Sequence, residues 1–317
     1  MSGTDFPPHS PFNPDNDEAY KRWRDAKLAD YPSTAEQLIV EVNDPRALTD
    51  AEHAALMQRL RKTNMVIYAG ATGEDPDKEI PRRIGLRLGL RRLDSNYLAD
   101  DDGITSLTVN PQGEHPNYIP YTNRPIKWHT DGYYNTAENQ IRGLILHCVH
   151  SAGEGGDNGL LDPEIVYIML RDDNPDFIRV LMRPDVMTIP PGKDGEGGER
   201  GAASGPVFSY HAASDSLHMR YTARKRNIEW SQDSMTRDTV AYLEQLLDRD
   251  NLPYRFRARL ESGMGLLCNN VIHDRTGFTD PLGIKPRLIY RARYFDRVDG
   301  TGVRDVYPDL QSGLKGF

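Results

Sequence analysis

Cysteine is scarce in this chain: Cys148 and Cys268 are the only two in 317 residues. No CxxC pair exists, which excludes a zinc ribbon. Both cysteines sit in apolar runs, Gly143 to Val149 and Met264 to Cys268, and read as buried free thiols rather than a disulfide. Long hydrophobic runs are missing as well. No window approaches the ~18 apolar residues that a spanning helix needs, so no membrane partner is expected. The start, Met1-Ser2-Gly3-Thr4-Asp5-Phe6-Pro7-Pro8, lacks the basic stretch and apolar core of a secretory signal, which makes the cytoplasm the expected location. Nor is there an excess of positive charge. The formal net charge of -8 argues against a general nucleic-acid surface, so no nucleic-acid partner is expected. Internal repeats and dividing linkers are also lacking.

What remains is an ordinary globular composition, 38% hydrophobic and 27% charged, with length enough for a sizeable core. We read residues 1–317 as a single domain. Residues 1–35 form an irregular N-terminal arm, rich in Pro, Asn, Asp and Ser over 1–18, with a short charged helix over 17–29. Leu38 to Val42 and Met65 to Tyr68 read as strands. Thr49-Asp50-Ala51-Glu52 has the form of a capping box and opens a helix to about Lys62. Pro81 to Leu93 reads as an arginine-rich helix whose charged side is a solvated face or, alternatively, a subunit contact in a homo-oligomer or the seat of an acidic partner. Strand signals then dominate: Ile104 to Val109, Ile126 to Asp131, Gly143 to Val149, Asn158 to Leu161, a hairpin from Val207 to Tyr221, Gly263 to Asn269 and Leu288 to Tyr294. Helices are expected at Pro163 to Leu170, Asp176 to Met182 and Thr236 to Arg249. Residues 190–205, with Gly192, Gly195, Gly197, Gly198, Gly201 and Gly205, read as a mobile loop and a candidate lid. Many short strands with helices at the margins predict a mainly β protein with flanking helices (α+β), its core a double-stranded β-helix or jelly roll.

The chemistry concentrates in Ile126-Lys127-Trp128-His129-Thr130-Asp131-Gly132-Tyr133. Its core is His129-x-Asp131, and His273 follows at long range. Side chains two apart on a strand share a face, so His129 and Asp131 can reach one metal. Two histidines and one carboxylate, leaving other positions open, form the facial triad that suits non-haem Fe(II).

Four blocks surround that motif: Tyr121-Thr122-Asn123-Arg124-Pro125 leading into Trp128-His129-Thr130-Asp131; Leu146-His147-Cys148; Gly155-Gly156-Asp157-Asn158; and His273 followed by Arg287-Leu288-Ile289-Tyr290-Arg291. Through them the chain resembles the Fe(II)/2-oxoglutarate dioxygenases of the taurine dioxygenase and gamma-butyrobetaine hydroxylase group. The resemblance spans roughly residues 118 to 296. It implies the jelly-roll fold, Fe(II) on His129, Asp131 and His273, and 2-oxoglutarate and O2 as cosubstrates. It implies that Arg287 grips the distal carboxylate of 2-oxoglutarate, a role that suits a planar guanidinium. Asn158 stands where relatives carry a Thr or Ser that touches the cosubstrate, and its amide can donate a hydrogen bond there.

For the substrate the resemblance points two ways. Arg291 lies four residues after Arg287, where anion-using relatives place the arginine that meets the substrate, and Arg293 shares its strand parity. Tyr133 and Tyr134 resemble instead the aromatic wall of the betaine enzymes, which hold a cationic amine. We favour a small anionic organic substrate, hydroxylated with release of succinate and CO2. A quaternary amine is the alternative, and desaturation or ring closure stay open as outcomes. Halogenation is disfavoured because Asp131 occupies the position a halide would need. The competing class is a non-catalytic jelly-roll ligand-binding protein, against which the intact triad and Arg287 argue.

Overall fold

Six strands form the larger sheet of the computed structural model, in the spatial order Ile39–Val42, Met65–Gly70, Met264–Cys268, Gly143–His150, Leu288–Tyr294 and Thr105–Leu107. The first pair is parallel and the other neighbours run antiparallel. The smaller sheet has four antiparallel strands, in the order Phe256–Ala258, Asn158–Leu161, Ile272–Arg275 and Ile126–His129. The structure describes residues 6–95, 100, 102–109, 119–193, 199–281, 283 and 285–310.

Strand alternation explains how the layers stack. Along the larger sheet, Ile67, Leu144, Leu146, Cys148, Leu266 and Ile289 join one core with Trp128, Leu160, Leu161 and Ile272 of the smaller sheet. The intervening residues Val66, Tyr68, Ile145, Val149, Leu267, Tyr290 and Ala292 face the other way, against Leu56, Leu60, Ile84 and Leu88 of two helices. Both faces of the larger sheet are therefore buried, which is why its strands read as nearly continuous apolar runs. In the strand Leu288–Tyr294, Arg291 and Arg293 share parity with Ile289 and so project between the sheets. That parity delivers two guanidinium groups to the interior. Both cysteines are free and buried. Among the described residues no helix is long and apolar enough to cross a membrane.

Several elements differ from the sequence reading. The N-terminal arm is less irregular than its composition suggests. The helix Asp17–Leu28, capped by Asn16, buries Tyr20, Trp23 and Lys27, and Phe12 is fully buried against Trp23 and Tyr167. Its aromatics find partners on the helix Pro163–Asp173, a long-range contact invisible locally. The arginine-rich helix runs over Glu79–Arg87 and stops at Leu88, before Gly89 with φ of +88°, short of the expected Leu93. Its arginines are spent on surface ion pairs, Arg82 and Arg83 to Glu79 and Arg87 to Asp50, as a solvated face requires. Residues 190–205 contain paired strands, Gly192–Lys193 with Glu199–Arg200 and Ala203–Gly205 with Met187–Ile189. Residues 194–198, with three of the six glycines, lie outside the described residues.

A buried ionic cluster ties the N-terminal helix to the core. Lys27 Nζ lies 2.8 Å from Asp162 and 2.5 Å from Glu164. Asp162 also accepts from Asn64 at 3.0 Å and caps the helix that begins at Pro163. Burial alone would lower the Lys27 pKa, but the two carboxylates outweigh it and raise it. Lys27→Met is expected to leave two buried carboxylates without their cation and to cost about 3–5 kcal/mol. Urea unfolding of the variant checks this. A loss below about 1 kcal/mol, the range of an exposed pair, would mean that the cluster contributes no more than surface charge does.

Candidate active site

The triad is assembled across two strands rather than along one. The strand Ile126–His129 ends at His129, two residues earlier than the sequence suggested, and His129 stands directly opposite His273 in the ladder with Ile272–Arg275. The two imidazole centroids are 4.3 Å apart. Asp131 lies beyond the strand end. Thr130 exchanges hydrogen bonds with the Tyr221 backbone, its N–H donating at 3.0 Å and its hydroxyl accepting at 3.1 Å. Gly132 then takes a left-handed turn with φ of +68°, where a Cβ would fall 2.4 Å from Ile141. Asn270, itself left-handed at φ of 50°, holds the result in place. It accepts from the Asp131 N–H at 2.9 Å and donates to the Asp131 and Ile141 carbonyls at 2.9 and 2.7 Å. Asparagine tolerates that backbone conformation better than most residues.

One ligand atom from each of His129, Asp131 and His273 falls within 4.8 Å of the others. His129 Nδ1 faces the Lys127 carbonyl and His273 Nδ1 faces the Val271 carbonyl, both at 2.9 Å. A carbonyl only accepts, so each Nδ1 carries the proton and each Nε2 keeps a lone pair for a metal. Burial first, and then the charge of His273, pushes His129 down to about 3, so it is neutral in the form that ligates. Burial acts to raise Asp131, but the Arg291 and Arg293 guanidiniums overcome it and hold the carboxyl below its usual range. Asp131 Oδ2 is buried without a hydrogen-bond partner, an acceptor left over for a cation. These donors fit Fe(II).

A cavity of about 480 Å³ reaches His129 and Asp131. Tyr133, Tyr134, Arg291 and Arg293 line it, with Ile119, Pro120, Pro125 and Ile126 as an apolar wall. Arg291 Nη1 approaches Asp131 Oδ1 at 3.6 Å, while its Nε and Nη2 are buried with no partner. Tyr133 and Tyr134 meet edge to face at 5.3 Å. Arg293 donates to the Tyr134 hydroxyl at 2.8 Å and also binds Asp94.

Asn158 starts a strand of the smaller sheet, Arg287 directly precedes the larger sheet's strand Leu288–Tyr294, and neither lines that cavity. Asn158 is buried and pairs with Arg275 in the ladder. The Arg287 guanidinium stands 5.0 Å over the Phe278 ring, on the same ring that Arg275 covers at 4.9 Å. Gly156, left-handed at φ of +76°, lies next to the Arg287 side chain. Burial lowers the Arg287 pKa. Among the described residues its guanidinium has no ion-pair partner.

A family model described as taurine catabolism dioxygenase TauD, TfdA family matches residues 25–293. The chain belongs to that family. As a TauD, TfdA family enzyme it is a non-haem Fe(II)/2-oxoglutarate-dependent oxygenase, with His129, Asp131 and His273 as its facial triad. A Streptomyces protein named uridine-5'-phosphate dioxygenase is 28% identical over 201 residues, covering 61% of this chain and 69% of its own length. An asparagine oxygenase solved with Fe(II), hydroxyasparagine and succinate superposes with a TM-score of 0.57 at 15% identity, covering 82% of each chain. The enzyme AAD-2, solved with Mn(II) and N-oxalylglycine, gives 0.56 at 13% identity, covering 83% of this chain and 97% of its own. At such identities the two structures speak for the double-stranded β-helix fold.

Two residues of this TauD, TfdA family site, Asn270 and Arg220, escaped the sequence reading, and Arg293 was read by its parity alone. Asn270 was visible beside Asn269 but carried no chemical signature. Arg293 shared the parity of Arg291, yet its bond to Tyr134 needed the fold. Arg220 is buried and donates to the carbonyls of Tyr133, Met187, Ala203 and Gly205, fastening the aromatic wall to the 187–205 hairpin. Backbone carbonyls leave no trace in sequence, so nothing local marked it.

Proposed function

We propose that this oxygenase hydroxylates a small anionic organic molecule bound in the cavity between Arg291 and the Tyr133-Tyr134 wall. When bound, Fe(II) and 2-oxoglutarate supply the oxidation of a substrate C–H bond by O2, with succinate and CO2 as coproducts. The chain's own residues do the rest. His129, Asp131 and His273 hold the metal, and Arg287, with Asn158, holds the cosubstrate. The tyrosines and Arg291 orient the substrate, and the sheets exclude water.

The observation that carries the anionic reading is the occupancy of the aromatic wall. Arg200 and Arg293 already stand 6.0 and 5.9 Å from the Tyr134 ring. A quaternary amine would have to join two cations there. An anion meets instead the two partnerless nitrogens of Arg291, which are costly to bury unpaired. The similar Streptomyces protein is named for an anionic substrate, which supports the same choice. Arg291→Gln is expected to weaken substrate binding at least about tenfold, a loss of about 1.4 kcal/mol, with little change for 2-oxoglutarate. Paired titrations check it. A quaternary amine that binds best and is indifferent to the substitution would overturn the anion reading.

The 190–205 segment is proposed as a lid. Its Ala203, with Ile189 just before the segment, packs against Tyr133, and Arg200 reaches the Pro190 carbonyl beside Tyr134. Lids keep reactive species from water. Shortening 194–198 is expected to raise the share of 2-oxoglutarate consumed without product. An unchanged share would make the segment an idle surface loop.

A further inference from the structure

The mouth of the cavity carries cations that neither the triad nor Arg291 explains. Six basic residues line the cavity, the buried Arg291 and Arg293 and the more exposed Lys127, Arg224, Lys225 and Arg226, against one acid, Asp131. This concentration stands out in a chain of net charge -8. Arg291 leans on Asp131, Arg293 on Asp94, and Lys225 on Glu244 at 2.9 Å. Lys127, Arg224 and Arg226 have no ion-pair partner among the described residues. Exposed cations alone would be a solvated surface. These three differ because the backbone ties them to the triad. Thr222 bridges His129, and the Ala223 N–H donates to the Trp128 carbonyl at 2.8 Å. Lys127 shares the strand with His129, two residues before it. The cations thus sit on elements pinned to the metal-binding strand, at one opening.

Size points the same way. A cavity of about 480 Å³ lies in the range of about 300–1,000 Å³ that encloses ligands much larger than a short-chain acid. A phosphate monoester carries about -1.5 to -2 charge near neutral pH and three acceptor oxygens, and guanidinium forks match it in two-pronged geometry. Three unpaired cations at the mouth suit that dianion better than a single carboxylate.

We propose that the mouth is a phosphate site. Arg224 and Arg226, with Lys127 beside them, hold the phosphoryl group of a phosphate monoester, and the carbon to be oxidised sits at the buried end beside His129 and Asp131. This deepens the anionic-substrate reading and rests on it. Arg291 then meets a polar or anionic group further in, and Tyr133 flanks the body of the molecule.

Calorimetric titrations of the full chain, held anaerobic with Fe(II) and 2-oxoglutarate, test the site. The probes are orthophosphate, ribose 5-phosphate and uridine 5'-monophosphate, with ribose and uridine as phosphate-free counterparts. At least one monoester is expected to bind tenfold or more tighter than its counterpart, with orthophosphate competing. R224Q/R226Q should weaken that monoester at least tenfold, and R224K/R226K should recover part of the loss. Among the described residues neither arginine has an ion-pair partner to lose, so the melting temperature of the Gln pair in buffer should match the wild type and exclude misfolding. Equal binding with and without phosphate, wild-type monoester affinity in R224Q/R226Q, or no binding of any phosphate would each overturn the proposal. Binding of orthophosphate with none of a monoester would mark a free-anion site and overturn it too. The oxygenase reading fails separately, if wild type with Fe(II) and O2 consumes no 2-oxoglutarate. Consumption stimulated solely by phosphate-free acids would sink the phosphate site and leave the oxygenase intact.

Discussion

His273→Ala is expected to abolish iron-dependent turnover and most iron binding while leaving the fold in place. His273 is the cleanest of the three ligands to remove. Apart from its place in the ladder, its ring makes one hydrogen bond, from Nδ1 to the Val271 carbonyl. Asp131 is different, because Arg291 and Arg293 are buried around it and its loss would strand their charge. Removal of a residue that merely supports a ligand costs ~10–100-fold in metal affinity or activity, so removal of a ligand itself should exceed about a hundredfold. The measurements are iron content after anaerobic reconstitution and 2-oxoglutarate consumption. Melting with and without Fe(II) adds a readout independent of turnover, since a metal that binds the native state raises its stability. Wild type should gain from Fe(II) and the variant should not. Full turnover in iron-supplemented His273→Ala would remove the triad assignment.

The triad was legible because its chemistry restricts residue type: few side chains ligate iron, and His129-x-Asp131 with a distant histidine is short enough to see. The reason first given for its spacing was incomplete. Period-two alternation would put His129 and Asp131 on one strand face, yet the strand stops at His129 and a clamped Thr130 and a left-handed Gly132 aim Asp131. The pairing that matters, His129 opposite His273, links residues 144 positions apart, and local pattern carries no record of it. The same holds for Asn270 and Arg220, whose partners are backbone groups. The larger sheet was easier, because apolar runs such as Gly143 to Val149 and Leu288 to Tyr294 survive burial on both faces. In the 190–205 stretch the glycines hid short strand pairings. Strands of two or three residues pair there mainly through backbone atoms, which any composition can supply, with one added bond between the Thr188 and Ser204 hydroxyls at 2.6 Å.

Arg287→Ala is expected to raise the 2-oxoglutarate concentration needed for half-maximal turnover by roughly a hundredfold or more. Loss of one side of a buried charge-assisted pair costs about 3–5 kcal/mol, and each 1.4 kcal/mol is tenfold. The structure gives this expectation a second, opposite sign in the absence of cosubstrate. The Arg287 guanidinium is 7% exposed, sits over Phe278, and is lowered in pKa by burial. Arg275 shares the Phe278 ring and is pushed down to about 9, by burial first and by Arg287 second, so the two guanidiniums repel. Arg275 has the Thr122 and Arg124 carbonyls, at 2.7 and 2.5 Å, to steady it. Among the described residues the Arg287 guanidinium has no such bond, and Asp280 accepts from its backbone N–H at 3.0 Å. Removing an unpaired buried charge should therefore leave the melting temperature of the cosubstrate-free protein unchanged or higher. The stabilisation that 2-oxoglutarate brings should nearly vanish. Arg287→Lys keeps a charge but loses the planar fork, and should fall between the two. Iron content should stay at the wild-type level in both. An unchanged 2-oxoglutarate titration in Arg287→Ala would move the distal carboxylate to Arg291 or Arg293. A variant that melts much lower without cosubstrate would make Arg287 a structural partner rather than a waiting one.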